Sequence, residues 1–285
     1  MKKIFLTGAN GFFGTRFMKF YENKYEILGV DKNNLDITNS SKLEETIIKF
    51  EPDYVIHCAA IADTNFCNKF PDIAHEVNVK AAIDVARISK KINAKMIFLS
   101  TEQVFNGNKE SGPYNENMTP IPNTKYGENK LEAENSIKKI IDELWIIRFT
   151  WLFGLPEKDC TLANNILWDT IVSLIRNDEI TASKFEFRGM TYVWEVINQF
   201  DKIFEIPFGT YHFGCENESS RNEVVKYILN TLSLDSSRVE DDNKFSQEFP
   251  RDIRLNTSKI RSLGFDFTET KTAIYNSLKS FGIVK

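Results

Sequence analysis

The sequence predicts an α/β protein built on a doubly wound parallel sheet, with a smaller C-terminal lobe. Short apolar runs alternate with helical patterns through the first half of the chain. Those runs are apolar almost throughout, as strands covered on both faces should be. A glycine-spaced turn closes the first run and opens the first helix.

Taken in order, Ile4–Leu6, Ile27–Val30, Tyr54–Cys58, Met96–Leu99 and Trp145–Phe149 read as strands. Between them, 12–21, 40–50, 72–92 and 124–142 carry helical patterns. Alternation at this spacing builds βαβ units. After Gly154 the rhythm changes. Residues 161–177 read as a helix, and 192–205 as another that follows Arg188-Gly189. Tyr211–Phe213 reads as a late strand, 220–232 and 270–281 as helices, and the charged, Ser- and Asn-rich 235–252 as loop.

With 285 residues, one large domain or a domain with a dependent lobe is expected. An aromatic content of 13%, carried mostly by 23 Phe, is enough for a sizeable core. The net charge of −4, without a long run of one sign, disfavours a nucleic-acid or anionic-membrane surface. Cys58, Cys67, Cys160 and Cys215 lie far apart with no Cys-x-x-Cys pair, which suggests neither zinc nor a disulfide framework and fits a reducing cytoplasm. No metal-ligand spacing stands out. The apolar start ends at Thr7-Gly8, well short of a signal peptide's core, and no stretch is long enough to span a bilayer.

Thr7-Gly8-Ala9-Asn10-Gly11-Phe12-Phe13-Gly14 follows the first strand directly. Glycines three apart permit a tight turn, close backbone approach to a pyrophosphate and close helix–strand packing, with the helix N-terminus meeting the negative charge. The spacing is Gly-x-x-Gly-x-x-Gly rather than the dinucleotide fingerprint Gly-x-Gly-x-x-Gly. Asp31 ends the second strand, where a carboxylate can accept from ribose hydroxyls and favour NADH. Lys32 follows and can instead answer a 2′-phosphate, so both cofactors stay open. We therefore expect residues 1–154 to form a Rossmann-like NAD(P)-binding domain. Residues 155–285 would be mainly a substrate-binding lobe, with segments near 188–213 returning to the sheet.

Ser100-Thr101-Glu102 stands at the carboxyl end of the fourth strand, where such sheets bind ligands. Tyr126 and Lys130 follow, four apart and so on one helix face. A phenol near pH ~10 and an amine near ~10.4 are poor acids or bases at neutral pH alone. Side by side, the ammonium favours the phenolate, making a proton-transfer pair. Tyr275 and Lys279 repeat the spacing in the last helix, where a solvated face explains them.

These features resemble the extended short-chain dehydrogenase/reductases: the glycine turn, Ala59-Ala60, Asn78-Val79, Thr101 and Tyr126-x-x-x-Lys130. Leu35-Asp36-Ile37-Thr38, Pro113-Tyr114-Asn115-Glu116, Arg148 through Gly154, Gly209 through Phe213 and Arg251 through Leu255 are similar to strings of the dTDP-4-dehydrorhamnose reductases among them. That resemblance implies a catalytic set of Thr101, Tyr126 and Lys130. It implies a cofactor, NADPH or NADH, held by Gly8, Asn10, Gly11, Phe12, Phe13 and Gly14, with Asp36 and Ile37 near the adenine. Ala59 and Ala60 would line the nicotinamide side, and Ile61 and Asn78 would also bind the cofactor. Trp151 and Glu102 would face the sugar, and Arg251 would pair with the diphosphate of a dTDP-linked substrate. A homodimer is implied as well.

Two departures stand out. Glu102-Gln103 replaces the reductases' Asp-Tyr, and Ile61-Ala62-Asp63-Thr64 differs from their usual residues. Glu102 is similar to the acid of sugar 4,6-dehydratases, but the Gln103 amide cannot serve as their base. The rivals are thus a nucleotide-sugar epimerase or dehydratase, and a non-catalytic dinucleotide-binding subunit like the regulatory partner of methionine adenosyltransferase.

Overall fold

The computed structural model describes residues 1–285 and places six strands in one parallel sheet. In chain order these are β1 (Lys3–Thr7), β2 (Glu26–Val30), β3 (Tyr54–His57), β4 (Lys95–Thr101), β5 (Leu144–Phe149) and a late strand, Gly209–Phe213. The spatial order puts the late strand at one edge, then β5, β4, β3, β1 and β2. Every pairing is parallel. The chain therefore moves outward from β1 in both directions, and a crevice opens beyond the carboxyl ends of β1 and β3.

Helices cover both faces. They are α1 (Phe12–Tyr21), α2 (Ser40–Phe50), α3 (Thr64–Lys69), α4 (Pro71–His75), α5 (Ala81–Lys91) and α6 (Lys125–Lys138). Their starts are chemically marked: Asn39, Asp63 and Thr124 each accept a hydrogen bond from a first-turn N–H. The expected single helix 72–92 carries a π turn at Glu76–Lys80. That turn aims buried Asn78 at the loop after β3, where its amide accepts from Ile61 N at 2.7 Å and donates to Ile61 O at 3.0 Å.

The second half adds β6 (Trp151–Phe153), α7 (Ile166–Arg176), β7 (Ile180–Thr181), β8 (Glu186–Phe187), β9 (Met190–Tyr192) and α8 (Val193–Ile197). The late sheet strand is β10, followed by α9 (Arg221–Thr231), β11 (Val239–Glu240), β12 (Arg251–Asp252), α10 (Ser258–Arg261) and α11 (Thr270–Ser280). Three short parallel pairs, β6 with β9, β7 with β11 and β8 with β12, fold this part over the sheet's carboxyl edge. The expected helix 192–205 breaks after Ile197. There the Gln199 side chain bonds Asp266 N and O instead of supporting a helix, and a 3₁₀ turn follows at Phe200–Glu205. Segment 235–252 is loop except for a 3₁₀ turn at Ser236–Arg238 and the strands β11 and β12.

The largest core runs from Ile4 to Leu278 without a break between the halves. Many of the phenylalanines meet in it: Phe13 packs against Phe17, Phe149 and Phe200, and Phe213 against Phe149, Phe265 and Phe267. Among polar groups, Glu134 of α6 is fully buried. Arg148 of β5 donates to it at 2.9 and 2.6 Å, and Ser100 at 2.5 Å. Removing one partner strands a buried charge. Glu134→Ala should therefore cost on the order of 3–5 kcal/mol in urea unfolding.

Candidate active site

The first cavity lies over the glycine turn. It has a volume of about 630 Å³ and is lined by Gly8, Asn10, Gly11, Asp31, Lys32, Asp36, Ile37, Ala59, Ala60 and Ile61, among others. Gly8 sits at φ +71°, and a Cβ on it would meet Ala59 N at 2.7 Å. A Cβ on Gly14 would meet the Gly8 and Ala9 carbonyl oxygens. The turn thus lies flat against β3 and leaves the N-terminus of α1 open, a cradle that fits a pyrophosphate. Asp31 and Lys32 both reach this cavity, and Asp31 also accepts from Asn33 N at 2.6 Å. Asp36 is engaged locally by Thr38.

Two of the turn residues go elsewhere. Phe13 is buried in the aromatic core, and Phe12 lines a second cavity with Arg16 4.3 Å from its ring centroid. Asn78 does not line the first cavity but holds the Ile61 loop that does.

The second cavity, about 680 Å³, adjoins the first through Ala62 and Asp63. Ser100, Thr101, Glu102, Tyr126, Trp151 and Arg188 are among its lining residues. Thr101 arrives at the end of β4, and its hydroxyl accepts from Gln103 N at 3.2 Å. Tyr126 lies in the first turn of α6, which Thr124 caps at 3.1 Å. Lys130 is one turn further, buried, with its ammonium 4.0 Å from the Phe98 ring centroid.

The electrostatics differ from the sequence expectation in one respect. Burial pushes the Tyr126 phenol upward, with Cys67 and Glu102 adding to the rise and only the Thr101 hydroxyl opposing it. The expected downward pull from Lys130 does not appear. Lys130 itself is lowered to about 8, because burial outweighs the favourable carboxylate of Glu134. At neutral pH Tyr126 is therefore a protonated phenol and Lys130 an amine that remains mostly charged.

Lys130 has a depressed folded-state pKa, so its favourable contribution exists above its unfolded pKa and is lost as pH falls through about 8. Lys130→Met should stabilise the cofactor-free protein by roughly 1–3 kcal/mol at pH 7. The advantage should shrink between pH 8 and 10.5, as followed by denaturation at several pH values.

Arg251 does not line the second cavity. It pairs with Glu186 and donates to Asn106 Oδ1 at 2.6 Å, placed there by the β8–β12 pairing. Arg188 occupies the wall instead, with its guanidinium 4.5 Å from the Trp151 ring centroid and paired to Glu102. Sequence reading missed Arg188, which looked like the turn before a helix. Tyr275 and Lys279 lie on the outer face of α11, remote in role: the phenol donates to Lys285 O at 2.6 Å. No group of three or more His, Cys, Asp or Glu is placed to hold a metal ion. No helix is long and apolar enough to cross a membrane.

The profile of one family, described as the RmlD substrate binding domain, matches residues 1–282. The chain belongs to that family. The resemblance to the extended reductases read from the sequence agrees with this membership, as does the fold. Among solved structures, dTDP-4-dehydrorhamnose reductase from Bacillus anthracis in complex with NADP superposes with a TM-score of 0.85 at 26% identity. That match covers 98% of this chain and 99% of the other. Among curated proteins, methionine adenosyltransferase 2 subunit beta of Bos taurus is 26% identical over 302 residues, covering 100% of this chain and 89% of the relative. The spore coat polysaccharide biosynthesis protein SpsK of Bacillus subtilis is 27% identical over 239 residues, 83% of this chain and 82% of the relative.

Proposed function

We propose that the chain is an NADPH- or NADH-dependent oxidoreductase that reduces the C4 ketone of a nucleotide-linked 4-keto-6-deoxy sugar, as dTDP-4-dehydrorhamnose reductase does. The observation that carries this reading is the adjoining pair of cavities, one over the glycine turn and one lined by Thr101 and Tyr126. When bound, the reduced nicotinamide supplies the hydride. Thr101 donates a hydrogen bond to the ketone oxygen. Tyr126 hands its phenolic proton to that oxygen as negative charge develops. Reduction consumes a proton, so the upward shift of Tyr126 keeps the competent form in place. Lys130, one helical turn beyond Tyr126, would hold the nicotinamide ribose.

The dTDP handle, a homodimer and a cytoplasmic location belong to the same proposal. All four cysteines are free thiols, which supports a reducing compartment. A second reading, a non-catalytic subunit bound to methionine adenosyltransferase, is favoured by the full-length likeness to subunit beta. The test is loss of reduced-nicotinamide absorbance with dTDP-4-dehydrorhamnose, using NADH and NADPH in parallel. Turnover supports the reductase. Tight cofactor binding without turnover, together with stable association with a methionine adenosyltransferase, supports the subunit.

A further inference from the structure

Arg16 of α1 is fully buried, yet it lines neither cavity. A buried guanidinium needs acceptors for its N–H groups, and Arg16 finds four. Nε donates to Glu157 Oε1 at 2.8 Å, Nη1 to Phe12 O and Thr161 O at 2.9 Å each, and Nη2 to Leu155 O at 3.3 Å. Trp194 of α8 holds Glu157 in turn, since its indole donates to the other carboxylate oxygen at 3.0 Å. Leu155, Glu157 and Thr161 all belong to 154–165, which joins β6 to α7 without a helix or strand of its own. Two neighbours of Arg16 make the same connection. The Thr15 hydroxyl donates to Gly11 O at 3.0 Å and accepts from Thr161 N at 3.1 Å, and Lys19 donates to Lys158 O at 3.2 Å.

We propose that Arg16 is a positioning residue, which pins 154–165 to the cofactor helix and thereby sets one wall of the substrate cavity. This rests on the reductase reading above. The pinned segment runs on into Ala163 and Asn164, which line the second cavity. Phe12 lines it too. Its ring is held between Arg16, whose guanidinium lies 4.3 Å from the centroid, and Gly154, where an added Cβ would come within 3.3 Å of Cζ. The same helix begins on Gly11 of the glycine turn, so α1 aligns this wall with the cradle for the pyrophosphate. Ordering an irregular segment costs conformational entropy at every residue, and a few strong anchors must offset it. A planar fork serves a carboxylate and several carbonyls from one position, which a lysine ammonium cannot. Arg16 lines neither cavity, so it acts through what it holds.

The test compares Arg16→Lys and Thr15→Val with wild type. Arg16→Lys keeps a cation for Glu157 but cannot serve the three carbonyls, whereas Thr15→Val removes only the hydroxyl bridge. Local order is read by hydrogen exchange and mass spectrometry, and function by steady-state kinetics with dTDP-4-dehydrorhamnose and reduced cofactor. In Arg16→Lys the amides of 155–161 should exchange ~10-fold or more faster, while those of β4 and β5 keep wild-type protection. KM for the sugar nucleotide should rise ~10-fold or more, with KM for the cofactor within a few-fold of wild type and kcat less affected. Thr15→Val should show the same pattern with smaller factors. Unchanged exchange at 155–161 in both variants would overturn the proposal. So would faster exchange through β4 and β5 alike, or an equal rise in both KM values, since either would make Arg16 a general support of the fold. A wild type that binds cofactor but reduces no 4-keto nucleotide sugar would overturn the reductase reading whatever the exchange shows, and the substrate role of Arg16 with it.

Discussion

Tyr126→Phe should lower kcat by roughly 10²–10⁴-fold while cofactor affinity stays within a few-fold of wild type. The substitution removes one oxygen and leaves the ring where α6 holds it. The phenol lines the second cavity with Thr101, whereas the residues around the glycine turn line the first. Chemistry and cofactor binding should therefore separate cleanly in steady-state and fluorescence-titration data. Ionisation should leave stability at neutral pH unchanged, because the upshifted phenol is protonated there whether the chain is folded or not. A variant with near-normal turnover would remove Tyr126 from the proton path.

Gly8→Ala should do the opposite, striking the fold and cofactor binding before any chemistry. At φ +71° the new side chain enters a left-handed conformation, at a cost of roughly 1–2 kcal/mol. Its Cβ would also lie 2.7 Å from Ala59 N, 2.9 Å from Ala59 Cα and 3.0 Å from Cys58 C. These are backbone atoms of the loop leaving β3, so nothing can rotate aside. The turn must lift off the sheet, and we expect about 2–4 kcal/mol of destabilisation with cofactor affinity lowered ~100-fold or more. Gly264→Ala is the control. Its φ is +86° with nothing within 4 Å of the added Cβ, so it should show the conformational cost alone and normal cofactor binding. Thermal unfolding and NADPH titration of the two variants separate clash from conformation.

The parts of the molecule that were legible from sequence share a physical cause. Parallel strands buried on both faces must be apolar along their whole length, and Ile4–Leu6 or Met96–Leu99 admit no other reading once glycine or helical patterns flank them. The glycine turn is legible for a similar reason, because at Gly8 and Gly14 an added Cβ would collide with backbone atoms. The second half obeys no such period. Strands β7, β8, β11 and β12 are two residues each and take their pairing from the tertiary fold. Helix 192–205 failed as a single element because Gln199 found partners at Asp266 that no local pattern announces.

The site divides along the same line. Tyr126 and Lys130 are visible because helical spacing is a local property. The Glu102–Arg188 pair is not, because it joins the end of β4 to a segment between β8 and β9. Arg251 looked available on its own, and only the β8–β12 pairing shows that Glu186 engages it. The sign of the Tyr126 shift was likewise hidden, since depth of burial is a tertiary quantity and here it exceeds every charge nearby.

The most direct test of hydride delivery to a sugar ketone beside Tyr126 uses NADPH deuterated at the transferring position of the nicotinamide. The protein is incubated with dTDP-4-dehydrorhamnose, and the product is read by mass spectrometry and NMR. One deuterium on the new carbinol carbon, lost together with product formation in Tyr126→Phe, is the expected result. Product without label, or no product from any 4-keto nucleotide sugar by a protein that binds the cofactor tightly, would contradict the reductase mechanism.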